Sequence, residues 1–165
     1  SAGSRAAVTS TPSTTGREAK WRKLVAQGSP VLIVDEVTTG AHLQLHGGGW
    51  KMADEPANYL GGCFWTAAAR PGEPERTAVW RSDNPLLGRY RISIWYGKLP
   101  ESKAATDVAY TVTAKSGDKV FHIDQTKNTG GWRELGVFED PLYVSLSNRA
   151  NGPVIVDAVK FEKIP

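Results

Sequence analysis

Asp124-Gln125, Gly130-Gly131-Trp132, Leu135-Gly136-Val137-Phe138 and Val156-Asp157-Ala158-Val159-Lys160-Phe161 are the pieces from which the fold is read. They predict three strands joined by short turns, over 132–139, 142–148 and 154–162. The glycine pair before Trp132 suits a tight turn with positive φ. Asp157 shares strand parity with Ile155, Val159 and Phe161, so a carboxylate is expected on the side where apolar residues go. A carboxylate there must be paired, hydrogen-bonded or metal-bound.

Working outward, the same period-two alternation begins at Val31 and predicts strands at 31–37, 49–52, 62–69, 75–81, 88–97, 108–115 and 119–125. Breaks such as Arg70-Pro71-Gly72 separate them, and Ser116-Gly117-Asp118 reads as a hairpin turn. About ten short strands over 31–165 define the expected fold class: all-β, a jelly-roll-like antiparallel β-sandwich. Ahead of it, 1–16 is a linker of mostly Ser, Thr, Ala, Gly and Pro. Residues 17–30 follow with Trp21, Leu24 and Val25 at helical spacing, predicting a short amphipathic helix that ends at Gly28 and Ser29-Pro30.

The net charge of +3 sits at the N-terminus. Residues 1–30 hold five basic groups (Arg5, Arg17, Lys20, Arg22, Lys23) against Glu18, leaving fifteen basic and sixteen acidic groups in the rest. A body balanced to within one charge lacks the basic footprint of a nucleic-acid binder. The single cysteine, Cys63, excludes an intramolecular disulfide and a cysteine-cluster zinc site. No run of about 20 apolar residues reads as a membrane span. Starting at Ser1 without Met or an apolar leader, the chain is expected to be a processed mature protein or an excised domain.

In 88–97, Tyr90, Ile92, Ile94 and Tyr96 share one face and Arg91, Ser93 and Trp95 the other. The first set is expected in the core. The second puts an indole beside a guanidinium and a hydroxyl, the surface a sugar binder needs: an aromatic face stacks on pyranose C–H groups while polar neighbours bond hydroxyls. The plain alternative is that a loop or second sheet covers Trp95. Trp50 after three glycines and Tyr59 before Leu60-Gly61-Gly62 sit where a binding rim would be built, or where an aromatic lid folds onto the core. Trp65 and Trp80 are expected in the core.

His42 and His46 flank a segment expected to be extended or loop, where they stand too far apart to share a metal ion. His122 is expected to bond Asp124 across one strand face. Cys63, beside Phe64 and Trp65, reads as a buried small hydrophobe. No serine nucleophile elbow and no phosphate-cradling glycine loop is present, so no catalytic residue is expected. Asp35 shares parity with Ile33 and Val37 as Asp157 does with its neighbours, so two inward carboxylates are candidates for structural calcium. The alternative is that each accepts internal hydrogen bonds, with no cofactor at all.

Residues 31–164 resemble the golvesin C-terminal-like (xanthan-lyase-type) domain. The resemblance rests on Ile33-Val34-Asp35, Gly49-Trp50, Tyr59-Leu60-Gly61, Gly88-Arg89-Tyr90-Arg91-Ile92, Tyr110-Thr111-Val112 and Leu146-Ser147-Asn148, together with the pieces quoted first. It departs at Glu36, where the family often has Asn. The resemblance implies a non-catalytic bacterial accessory module, secreted, periplasmic or at the cell surface, of the kind attached to polysaccharide lyases, amidases or flavin-dependent oxidoreductases. The function expected is carbohydrate binding or surface attachment, with Trp95, Trp50, Tyr59 and Trp132 stacking and Arg91 or Gln125 bonding hydroxyls. The resemblance itself gives the Asp124-Gln125 and Gly130-Gly131-Trp132 pieces as turn and core determinants. The alternative is a structural domain that docks to another protein domain or subunit.

Overall fold

The computed structural model describes residues 31–35 and 41–165, so the predicted linker and helix at 1–30 lie outside it. Among the described residues, every strand pairing is antiparallel, in three sheets. With strands numbered along the chain, the first sheet has the order β1 (Val31–Val34), β12 (Ala158–Lys163), β6 (Arg89–Trp95), β9 (Trp132–Glu139). The second runs β2 (Ala41–His46), β5 (Thr77–Ser82), β10 (Pro141–Ser147), β7 (Val108–Ala114), β8 (Gly117–Ile123). The third is β11 (Val154–Val156), β4 (Gly62–Thr66), β3 (Lys51–Asp54). The expected all-β, jelly-roll-like sandwich is the fold.

The core follows the alternation. Tyr90, Ile92, Ile94 and Tyr96 are all buried, and β7 alternates buried Val108, Tyr110 and Val112 with half-buried residues between. They meet Trp80, Val144, Leu146, Val159 and Phe161 in one cluster. Each such side chain contributes roughly 1.5–3 kcal/mol on burial. The predicted hairpin forms, with Ala114 opposite Gly117 across a two-residue turn.

Three features differ from expectation, each for a physical reason. Residues 41–46 form a full strand, β2, because Ala41, Leu43 and Leu45 face inward while His42, Gln44 and His46 face water. The predicted strand 154–162 is two strands. Val154–Val156 pair with β4, whereas Ala158–Lys163 pair with β6 and β1, so the chain changes sheets at Asp157. A segment between sheets is covered on both sides, and residues 154–159 are all buried.

The third is a β-bulge in β9. Ile92 lies opposite Gly136 but Ser93 lies opposite Glu134, which leaves Leu135 as the extra residue, packed against the core. Without that insertion Trp132 would fall on the inner face. With it, Trp132 lies opposite Trp95, and Arg133 turns to reach the Tyr96 hydroxyl at 3.3 Å. The bulge therefore sets which face carries the second indole.

Candidate functional site

β6 and β9 bring Trp95 and Trp132 together, ring centroids 5.4 Å apart and nearly perpendicular. Tyr59 closes the triangle, 5.4 Å from each indole. Both tryptophans are partly exposed, whereas Tyr59 is 5% exposed and lies within the structure. The rim role expected of Tyr59 is therefore corrected: its ring supports the two indoles and offers no face to a ligand.

The 55–61 loop carries Tyr59 and is closed on itself by backbone bonds from Glu55 to Gly61, Asn58 to Glu55 and Gly61 to Asn58, at 2.9–3.0 Å. It lies on the end of β6 because Gly97 has no side chain; a Cβ there would stand 2.2 Å from Asn58 Oδ1. The Trp95 indole N–H donates to the Ala57 carbonyl at 2.9 Å, and the Asn58 amide donates to the Lys98 carbonyl at 3.2 Å. From below, the Asp157 carboxylate accepts the Tyr59 backbone N–H at 2.7 Å, and the Asp157 carbonyl accepts the Trp80 indole N–H. The aromatic cluster is thus fixed by hydrogen bonds to the sheet-switching residue.

A polar row continues from the indoles along the outer face of the first sheet. Lys160 lies opposite Ser93, and its ammonium stands 4.7 Å over the Trp132 ring. Arg91 bridges Glu134 at 3.3 Å and Glu162 at 3.6 Å, with about two-fifths of its side chain exposed. Stacking surface, cation, guanidinium and carboxylates on one face can bind a hydroxyl-rich ligand. Lys160, Glu134 and Glu162 escaped the sequence reading, because cross-strand register and the bulge decide their company.

Gln125 is the clearest correction. It is 1% exposed, and both ends of its amide are engaged: Nε2 donates to the Tyr110 hydroxyl and the Ile155 carbonyl at 2.8 and 2.9 Å, and Oε1 accepts the Ile155 N–H at 2.8 Å. It ties β7 to β11 and has nothing left for a sugar. Burial pushes the Tyr110 phenol far up, so that hydroxyl stays neutral.

Trp50 is partly exposed, with its indole N–H on the His46 carbonyl at 3.2 Å, but it is not part of the cluster. β4 runs from the Tyr59–Gly61 turn to Thr66, whose hydroxyl donates to the Gly49 carbonyl. A strand of that length separates Trp50 from the cluster by roughly 13 Å. Trp80 is core as expected, but Trp65 is only half-buried, with the Lys51 ammonium 5.2 Å from its ring.

His42 pairs with Asp83, and His122 with Asp107 at 2.8 Å rather than with Asp124. Asp124 instead caps its own turn, accepting the Thr126 N–H at 2.9 Å and the Thr126 hydroxyl, which hold its carboxyl below the usual range. Cys63 is buried. Asp35 and Asp157 are both buried, each just past the Val34–Val159 pair at the same end of the β1–β12 ladder. Among the described residues, no three His, Cys, Asp or Glu side chains are grouped to hold a metal, and no helix is long and apolar enough to cross a membrane.

Fold and site together define an all-β sandwich with an aromatic platform on one outer face. The family model of the Golvesin C-terminal domain matches residues 32–163, and the chain belongs to that family, as its motifs suggested. A solved structure of Paenibacillus xanthan lyase is similar at a TM-score of 0.68 and 22% identity. The likeness covers 83% of this chain and 13% of the lyase chain, and it concerns the fold. A comparison with curated proteins finds no match.

Proposed function

We propose that this chain is a non-catalytic accessory module that binds glycan, carried by a secreted, periplasmic or cell-surface bacterial protein. One observation carries the reading: Trp95 and Trp132 meet edge to face, partly exposed, at the head of the polar row formed by Lys160, Glu134, Arg91 and Glu162. Such a row offers C–H stacking at one end and hydroxyl partners along its length. That the chain spans 13% of the lyase it resembles suits an accessory part of a larger protein.

The docking alternative wants one broad apolar patch. The large apolar side chains exposed among the described residues are instead dispersed over β3, β8, β9, β10 and two connecting segments. That dispersal favours the glycan reading.

Binding to a panel of soluble and insoluble polysaccharides tests it, with and without calcium. Saturable binding lost in Trp132→Ala, whose melting curve stays cooperative, supports the reading. Binding unchanged by that substitution, or none across the panel, contradicts it. A calcium-dependent gain abolished by Asp35→Asn would give the calcium expectation its site.

A further inference from the structure

The two indoles lead into a second feature. Trp95 is followed by Tyr96-Gly97-Lys98, and Trp132 is preceded by Thr129-Gly130-Gly131. Between the 97–106 and 124–131 connections lies a cleft of about 420 Å³. Lys98, Lys103, Ser102, Thr106, Thr126 and Thr129 line it.

Its base is built, not loose. The Gln125 N–H donates to the Ala105 carbonyl at 3.0 Å and the Ala105 N–H to the Pro153 carbonyl at 2.7 Å. The Tyr96 hydroxyl donates to the Lys127 carbonyl at 2.7 Å, and the Gly130 N–H to the Tyr96 carbonyl at 3.0 Å. The 97–106 connection is therefore held at Ala105 and the 124–131 connection at Gln125, Lys127 and Gly130, which keeps the base in place without a ligand.

Electrostatically the cleft is one-sided. Two lysines line it and no carboxylate does. Neither lysine is in an ion pair among the described residues, and the acids next to the lining residues have partners or surroundings of their own. Asp124 is held by Thr126 and Asp107 by His122, while Glu101 lines a different hollow with Met52 and Trp65. Two cations and four hydroxyls set on an apolar floor that includes Leu99 and Ala104 form a site for an anion carried on a polyhydroxyl compound.

We infer that this cleft takes an acidic substituent of the bound glycan, a carboxylate or sulfate, between Lys98 and Lys103. Thr126 and Thr129 bond neighbouring hydroxyls, and the adjoining sugar stacks at Trp132. The inference rests on the glycan reading and narrows it to anionic polysaccharides.

The test titrates the chain with oligogalacturonate and its neutral methyl ester, and with sulfated and desulfated carrageenan oligosaccharides, following backbone amide shifts. The expected result is preferential binding of a charged form, with shifts at Lys98, Lys103, Thr126 and Thr129. The double substitution Lys98→Ala and Lys103→Ala should weaken it about tenfold or more. Both lysines are exposed, so the variant should fold, and Lys115→Ala on the distant β7–β8 turn should change nothing. Equal affinity for charged and neutral forms, or equal weakening by Lys115→Ala, overturns the cleft assignment. Neutral glycan binding that needs Trp132 but ignores the lysine pair removes the cleft and keeps the platform. Charged binding that needs the lysines but ignores Trp132 keeps the cleft and removes the platform.

Discussion

The Asp157 carboxylate accepts the backbone N–H of Tyr59 at 2.7 Å, joining residues 98 apart in sequence. That bond fastens the aromatic loop to the point where the last strand changes sheets. Asp157→Ala leaves a buried N–H without its acceptor and should cost about 2–4 kcal/mol. Chemical denaturation followed by tryptophan emission checks this. The midpoint should fall, and the native emission should shift red as Trp95 and Trp132 lose the Tyr59 ring. An unchanged midpoint would mean the bond contributes nothing.

Gly97→Ala should be among the most damaging small substitutions in the chain. The new methyl would meet Asn58 Oδ1 at 2.2 Å and the Asn58 backbone nitrogen at 2.4 Å, so the 55–61 loop must lift. A loss of about 3 kcal/mol or more is expected. Gly131→Ala, where an added Cβ meets nothing within 4 Å, serves as the control and should melt close to the parent.

Gln125→Leu separates a structural amide from a ligand-binding one. It orphans the Ile155 N–H and carbonyl and removes the Tyr110 partner, so stability should fall by about 2–5 kcal/mol. Gln125 borders the lysine cleft, but its amide is already engaged by Tyr110 and Ile155. Glycan affinity, measured at a temperature where the variant remains folded, should therefore stay within about twofold of the parent. A stable variant that loses affinity would restore Gln125 to the site.

The Asp124 carboxyl is held below the ordinary carboxylate value by the Thr126 hydroxyl and N–H. A depressed folded pKa stabilises the protein above the unfolded value, about pH 3.9, and that contribution is lost as pH falls through the folded value. Asp124→Asn removes it at every pH. The melting difference between parent and variant should therefore be largest near neutrality and shrink in acid. A difference constant with pH would contradict the assignment.

The fold was readable where one face is wet and the other dry. The alternation of Tyr90, Ile92, Ile94 and Tyr96 against Arg91 and Trp95 places β6 correctly, although Ser93 on the second face is buried, and Asp157 is recognisable as a buried carboxylate from its parity. It was less readable where tertiary contacts override local pattern. The strand change at Asp157 is invisible in a run apolar on both faces. β2 was obscured by two histidines and three following glycines.

The candidate site was half legible for a similar reason. Trp95 and Trp132 were identified by residue type, but their meeting depends on one bulged residue, Leu135, that no periodicity shows. Gln125 is a core determinant, as the resemblance implied, and not a ligand contact; a buried amide making three bonds looks, in sequence, like any polar residue beside a turn. Its partners, Tyr110 and Ile155, are 15 and 30 residues away.

The central claim is that glycan lies on the outer face of the first sheet, against Trp132 and Trp95. Oxidative footprinting of the tryptophans tests it most directly, with each indole quantified by mass spectrometry in the absence and presence of a saturating polysaccharide. The account predicts protection of Trp132 and Trp95 and unchanged oxidation of Trp50 and Trp65. Protection at Trp50 or Trp65 alone, or at no tryptophan despite measured binding, would place the ligand elsewhere and contradict it.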